Sequence, residues 1–214
     1  MSTAAIKDKL NLSAFFTEED HKWDLRLGTI NNQGGTRLVY LSSDIIRGIY
    51  NALEYECGDS WRIVLKNCGY IWGRRVSNNL DREMGQLFQS RQAELNVPEF
   101  VRFLEAYFPS HGWGNLSVDL SMAPTKGLIR VSLRNSIFDQ VLSDITGFKD
   151  QMIEGMLRAL FEHISGRELD CVQVSQSDDG SEFVITSEPR ISAVLPMIEE
   201  GGPREEIWNK LTGG

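Results

Sequence analysis

Few residues in this sequence have the types and spacing that chemistry needs. Glu168 and Cys171 stand three apart in "GRELDCVQV", and both residue types ligate metals. A structural zinc takes four ligands, most often thiolates and imidazoles. This pair supplies two, and the next cysteine upstream is Cys68. His163 lies close by in sequence, on the expected exposed edge of a helix. No metal is expected here, and Glu168 and Cys171 read as the remnant of a metal site or simply as strand residues.

The three histidines, His21, His111 and His163, are scattered, and none has a nucleophile at a recognisable spacing. His111, in "PSHGWG", is the best placed, because loops rich in glycine and aromatics line pockets. Hydride or electron transfer needs a nicotinamide, a flavin or an iron-sulfur cluster. The chain has no Gly-x-Gly-x-x-Gly after a strand, no phosphate loop and too few cysteines for a cluster. No catalytic residue is therefore assigned, and a chain that binds without transforming is expected.

The totals suit that expectation. With 214 residues, 41% hydrophobic and 24% charged, the chain has the composition of one ordinary globular core. Its net charge of -8 and pI near 5.0 argue against nucleic acid, and its densest basic pair is Arg74-Arg75. That pair is expected to cap or flank a helix. Three cysteines without a Cys-x-x-Cys pair fit a reducing compartment. "MSTAAIKDKLNLSAFF" lacks the pattern of a secretion signal, and no apolar run approaches a membrane span. A cytoplasmic protein is expected, with peripheral membrane contact left open.

The elements that must position these residues follow from periodicity. Residues 1–40 form an extension with a strand near Thr36–Leu41 after the Gly34-Gly35 turn. A helix beginning at Ser42-Ser43-Asp44 carries Ile45, Ile46, Ile49, Leu53 and Cys57 on one face. The next, from about Ser60, carries Trp61, Val64, Leu65, Cys68, Ile71, Trp72 and Val76 as an apolar stripe. Gly69 and Gly73 share a face of it. Each costs a helix about 1 kcal/mol against alanine, which close approach of another helix or of a ligand would explain.

A third helix has Pro98 in its first turn and buries Phe100, Phe103, Leu104 and Tyr107. "NLSVDLSMAPTKGLIRVSL" reads as a β-hairpin. "KDQMIEGMLRALFEHISG" is the clearest amphipathic helix, with Glu154, Arg158 and Glu162 on its polar side and Gly166 as a left-handed cap. A second hairpin, Glu168–Val174 with Glu182–Ile185, turns at Asp179-Gly180. Residues 191–214 form a tail with a short helix anchored by Ile207, Trp208 and Leu211. The fold class is α+β: an antiparallel sheet built from hairpins, covered by packed helices, over residues 41–190.

Gly69, Gly73, Arg75 and Val76, in "LKNCGYIWGRRV", resemble the long helix of the 4-vinyl reductase domain family, which is similar to subunits of the TRAPP vesicle-tethering complex. "MIEGMLRALFEHISGRELDCVQVSQSDDGSEFVI" resembles the terminal signature of that family, and "FVRFLEAYFPSHGWGNLSVDL" falls in the expected order between them. The resemblance covers roughly residues 40 to 188. It implies an apolar pocket between helices and sheet, and a homodimer formed through helix packing. It also implies an apolar small-molecule ligand, with a tetrapyrrole and photosystem-assembly proteins as the expected company, most like single-domain copies in photosynthetic bacteria. Reduction of the chlorophyll 8-vinyl group, as an enzyme or an accessory subunit, is the alternative it carries. A protein-protein scaffold of the TRAPP-subunit type is the second. Zinc-containing sensors similar to this family add further thiols to the Glu-x-x-Cys pair, and Ser181 stands here where the later one would fall. On this resemblance the ligand pocket is expected to draw on Trp61, Cys68, Gly69, Trp72, Gly73, Phe103, Tyr107, His111 and Trp113. His111 could then hold a chlorin magnesium or haem iron, and Cys68 could accept an acyl chain.

Overall fold

The computed structural model describes residues 21–32, 34–88, 96–177 and 180–213. The amino terminus read for a secretion signal, and Asp179 of the predicted turn, lie outside them. Among the described residues no helix is long and apolar enough to cross a membrane.

Two long helices form the spine. Helix α2 (Trp61–Phe88) lies against α6 (Gln151–Ser165), and glycines on both sides set the contact. A Cβ on Gly69 would collide with the carbonyl of Met152, one on Gly73 with that of Met156, and one on Gly155 with that of Lys66. The glycine pair of α2 thus serves helix packing within the chain. The buried face of α2 runs through Trp61, Leu65, Gly69, Gly73, Val76 and Leu80. This corrects the expected stripe: Cys68 and Ile71 are exposed and Val64 is only half-buried, because α6 settles on the glycines and leaves that flank outside. Arg74 and Arg75 lie exposed in the interior of α2, not at an end.

Helix α1 (Ser43–Cys57) corrects its expected face as well. Tyr50 is its one buried residue, flanked by half-buried Ile46, Leu53 and Cys57, while Ile45 and Ile49 face solvent. Helix α3 (Val97–Ser110) opens with a complete capping box between Asn96 and Glu99, and has Pro98 in its first turn. It buries Phe100, Phe103, Leu104 and Phe108.

The main sheet has four strands in the order β4 (Asn115–Asp119), β5 (Ile129–Arg134), β7 (Gly180–Thr186), β6 (Asp170–Ser177), each pair antiparallel. Both predicted hairpins are present. A short helix α4 (Ala123–Lys126) sits in the first connection, and α5 (Ile137–Val141) follows β5. Both faces of the sheet are covered. Leu116, Val131, Leu133, Cys171, Phe183 and Ile185 pack with the α2, α3 and α6 side chains. Leu128, Val172, Val174 and Val184 pack with α7 (Glu188–Glu199) and α8 (Arg204–Thr212). Alternate residues of β7 thus enter different cores, as the period of two requires.

Besides the short α4 and α5, a helix and a small sheet go beyond the expected layout. Helix α7 occupies much of what was read as tail, and it is latched down with α8. Arg204 and Arg130 both grip the buried carboxylate of Glu182, and Arg190 donates to the carbonyls of Lys126 and Leu211. The extension holds a three-stranded antiparallel sheet, β1 (Lys22–Asp24), β2 (Thr29–Asn31) and β3 (Arg37–Leu38), in place of one strand near Thr36–Leu41.

Candidate functional site

The carboxyl end of α3 gathers most of the aromatic candidates. Helical spacing stacks Phe103 over Tyr107 (centroids 5.7 Å apart) and Tyr107 over His111 (4.0 Å). The His111 Nδ1 lies 2.9 Å from the Tyr107 carbonyl and 3.0 Å from Ser110 Oγ, which fixes the ring at the rim, exposed to solvent. The chain then turns through Gly112 and Gly114, both at positive φ. A Cβ on Gly114 would press on the Arg134 carbonyl, so only glycine lets this loop lie on the end of β5. Trp113, tied by its backbone N–H to the Phe108 carbonyl, is thereby held half-buried between two elements. Its indole meets Trp72 of α2 at 4.8 Å and stacks on Phe138 of α5 at 6.0 Å, 13° from parallel.

The aromatic candidates thus form two groups joined by the loop after α3: the Phe103–Tyr107–His111 stack on α3, and Trp113 with Trp72, which Phe138 joins. Phe138 was missed by sequence reading because α5 is too short for a periodic signal. Tyr107, Trp113 and Trp72 are each only partly buried, so part of each side chain stays exposed to solvent. The remaining candidates lie elsewhere. Trp61 is buried at the start of α2 against Tyr50, with ring centroids 4.4 Å apart. Cys68 is exposed, and Gly69 and Gly73 are covered by the α6 backbone, which leaves no space for a ligand on that face.

Glu168 and Cys171 do not form a pair. Glu168 is exposed in the turn before β6, whereas Cys171 is fully buried in the core, where burial pushes its thiol well above the usual range. Among the described residues no group of three or more His, Cys, Asp or Glu side chains could hold a metal ion. The side chains present do not fit the zinc of the similar sensors. Ser181, at the position of the later thiol, instead donates its hydroxyl to Asp150, as Ser136 does from the other side.

Asp150 belongs to a buried polar seam between α6 and the sheet. Its carboxyl is pushed up by burial and pulled back by the two serine hydroxyls. Further along, Lys66 of α2 reaches across to Asp170 at 3.0 Å, Glu154 at 3.6 Å and the Cys171 carbonyl at 2.7 Å. Arg158 continues the seam to Asp170 and Glu162, and Glu162 accepts from the Tyr70 hydroxyl at 2.8 Å. Glu154 corrects the sequence reading, which put it on the polar side of α6. It is 6% exposed and accepts from the Gln173 backbone N–H at 2.7 Å. The missed signal was Lys66, a lone cation inside the apolar run of α2.

Burial pushes the Glu154 carboxyl up to about 7, with the Lys66 ammonium pulling the other way. Between the unfolded value of 4.5 and 7, the native state keeps a proton that the unfolded chain has released. Stability therefore falls as pH rises through that window, by about 3 kcal/mol at 1.36 kcal/mol per unit. Denaturant titrations from pH 5 to 8 should show the fall. Glu154→Gln should reduce the slope and leave a decline of the same sign from Asp150, whose carboxyl is also pushed up by burial. An unchanged slope in that variant would exclude Glu154 as its source.

Two open cavities flank the seam. One, of about 330 Å³, is a polar groove lined by Tyr70, Arg74, Asn78, Glu162 and His163. The other, of about 400 Å³, is bordered by Asp139, Ile145, Phe148, Lys149 and Gln176. Every carboxylate of the seam already has a donor, and the Cys171 thiol is held protonated, so its chemistry is that of a structural clamp.

No family model matches the sequence, and no curated protein does. Among solved structures, the fold is similar to the phenol-responsive sensory domain of the transcription activator PoxR, crystallised with phenol. The TM-score is 0.62 at 13% identity, over 87% of this chain and 92% of that one. Two further neighbours are more distant. One is trafficking protein particle complex subunit 3 from Naegleria fowleri, covalently bound to palmitic acid (TM-score 0.47, 14% identity, 67% of this chain and 93% of that one). The other is a vinyl-4-reductase family protein from Methanocaldococcus jannaschii (TM-score 0.44, 16% identity, 70% and 83%).

Proposed function

We propose that this chain is a non-catalytic domain that binds an apolar, ring-bearing small molecule at the carboxyl end of α3. The Trp72–Trp113–Phe138 cluster, whose two indoles are half-buried over the buried Phe138 ring just after His111 in the chain, carries the reading. Aromatic side chains present broad flat faces, and offset stacking on them contributes about 0.5–1.5 kcal/mol beyond area burial. The α+β fold shared with a phenol-responsive sensory domain supports a ligand of this kind. The sequence resemblance adds a flat tetrapyrrole or its precursor as the larger member of the class, with His111 as the residue that would ligate its metal and photosynthetic-complex assembly as the setting.

Tryptophan fluorescence, followed during titration with phenol, a saturated fatty acid and protoporphyrin, tests the reading and separates the ligand types. Quenching is expected with a ring-bearing ligand, and Trp113→Ala should weaken binding roughly tenfold, about 1.4 kcal/mol. His111→Ala should weaken a metal-loaded tetrapyrrole and leave phenol unaffected if the imidazole ligates the metal. Absence of binding by both ring classes, or equal affinity in Trp113→Ala, would overturn the proposal.

A further inference from the structure

We propose that the open cavity between α5, the loop before α6 and the far end of β6 is a second binding site, for a small carboxylate with a short apolar chain. The cavity holds about 400 Å³, which lies within the range of small-molecule pockets, and Asp139, Ile145, Phe148, Lys149 and Gln176 border it. It shares no lining residue with the aromatic cluster, although Phe138 of that cluster and Asp139 are neighbours in α5.

Lys149 carries the inference. It is 8% exposed, so its ammonium has left water almost completely. Lysine is rarely buried unless its charge is paired, and an ammonium has three donors to satisfy. Among the described residues this one makes a single hydrogen bond, to Asp139 Oδ1 at 3.1 Å. That same oxygen also accepts from the Gln176 amide, so the one acceptor is shared. Asp150, the next residue, takes its hydrogen bonds from Ser136 and Ser181 instead. Two ammonium donors therefore remain to be met at the cavity wall. Two residues further on, buried Gln151 donates its amide to the Phe148 carbonyl at 2.6 Å, while its Oε1 has no partner among the described residues. One short segment thus leaves a buried set of donors and a buried acceptor incomplete, which a bound polar molecule would complete.

The lining sets the ligand class. An ammonium with spare donors selects oxygen acceptors, and a carboxylate offers two of them with the opposite charge. Ile145 and Phe148, both half-buried, place apolar surface on the same wall, which suits a short hydrocarbon chain. A second cation stands behind the loop, where the Arg62 guanidinium lies 3.6 Å from the place a Cβ on Gly147 would take. Asp139 is the one carboxylate among the lining residues, and it opposes an anion. A phosphate, with up to two negative charges and no apolar part, would meet it with greater repulsion than a carboxylate does. The bound carboxylate competes with Asp139 for the ammonium, and that competition gives one variant a defined sign.

Isothermal titration of the full chain with hexanoate, which has no ring to stack on Trp113, tests this apart from the aromatic site. Saturable binding is expected. Hexanamide, of the same shape but uncharged, should bind the parent protein about tenfold more weakly, which tests the charge without any substitution. Lys149→Met should weaken hexanoate by about tenfold or more. Asp139→Asn should tighten it several-fold, because the competing charge goes while an acceptor for the ammonium stays. Trp113→Ala should leave it unchanged. Failure of hexanoate to bind, equal affinity for hexanamide, or weaker binding in Asp139→Asn would overturn the proposal. Loss of hexanoate in Trp113→Ala would assign it to the aromatic cluster and overturn this site as well.

Discussion

Alanine at Gly155 is expected to lower the melting temperature by roughly 5–10 °C, although helix propensity alone predicts a gain. In an isolated helix the exchange stabilises by about 1 kcal/mol, since glycine loses the most backbone freedom on folding. Here the new Cβ would land on the Lys66 carbonyl and within 2.6 Å of the Tyr70 nitrogen. Both are backbone atoms of α2, so no side chain can swing away. Inserting a methyl into a filled core costs about 1–3 kcal/mol, and more when two helices must separate. A net loss of about 2–3 kcal/mol, at roughly 2–4 °C per kcal/mol for a chain of this size, gives the stated shift. Gly69→Ala should behave alike, against the Met152 carbonyl. Gly48→Ala is the matched control, because a Cβ there meets nothing within 4 Å, and it should melt at the same temperature or higher. Thermal denaturation followed by circular dichroism compares the three. If Gly155→Ala proved as stable as the parent, the backbone contact between α2 and α6 would be wrong.

That contact also shows what the sequence could and could not reveal. Two glycines four apart in a helix announce a close neighbour, and the α6 stripe ending at Gly166, which sits at φ 63, announces a packed helix with a left-handed cap. Neither says that the two belong together, because the match between Gly69–Gly73 and Met152–Met156 is a tertiary fact. The same holds for the site. Trp113 stood out in its glycine-rich loop and Trp72 in its stripe, but their meeting depends on how the loop lies on β5 through Gly114.

Elements that depend on few buried residues were the ones lost. Helix α7 buries only Ile191 and Val194 and contains Pro196, so its stripe is too thin and its composition too broken to read. Strands of two or three residues fall below any periodic window. The helical wheel put Glu154 in solvent, since a charge on an amphipathic helix usually faces water. Lys66 changes that outcome from a distant part of the chain.

Lys66→Met is accordingly expected to be among the most destabilising single changes in the molecule, at about 2–4 kcal/mol. Removing one partner of a buried pair typically costs about 3–5 kcal/mol because the remaining charge stays uncompensated, and the Lys66 side chain, at 23% exposed, retains some contact with water. Asp170 would keep Arg158 at 3.6 Å, while Glu154 would keep only the Gln173 N–H. The loss should depend on pH in a defined direction. Without the ammonium the Glu154 carboxyl becomes harder to ionise, so at pH 5.5 it stays protonated and little is lost through it. At pH 8 its charge must be either borne unpaired or neutralised at a cost, and the penalty grows. Urea titrations of parent and variant at the two pH values measure the difference. Adding Glu154→Gln to Lys66→Met should recover part of the stability at pH 8 and almost none at pH 5.5, because the carboxyl is already neutral there. A penalty identical at both pH values, or no recovery at pH 8, would mean that Lys66 holds β6 through Asp170 and the Cys171 carbonyl alone.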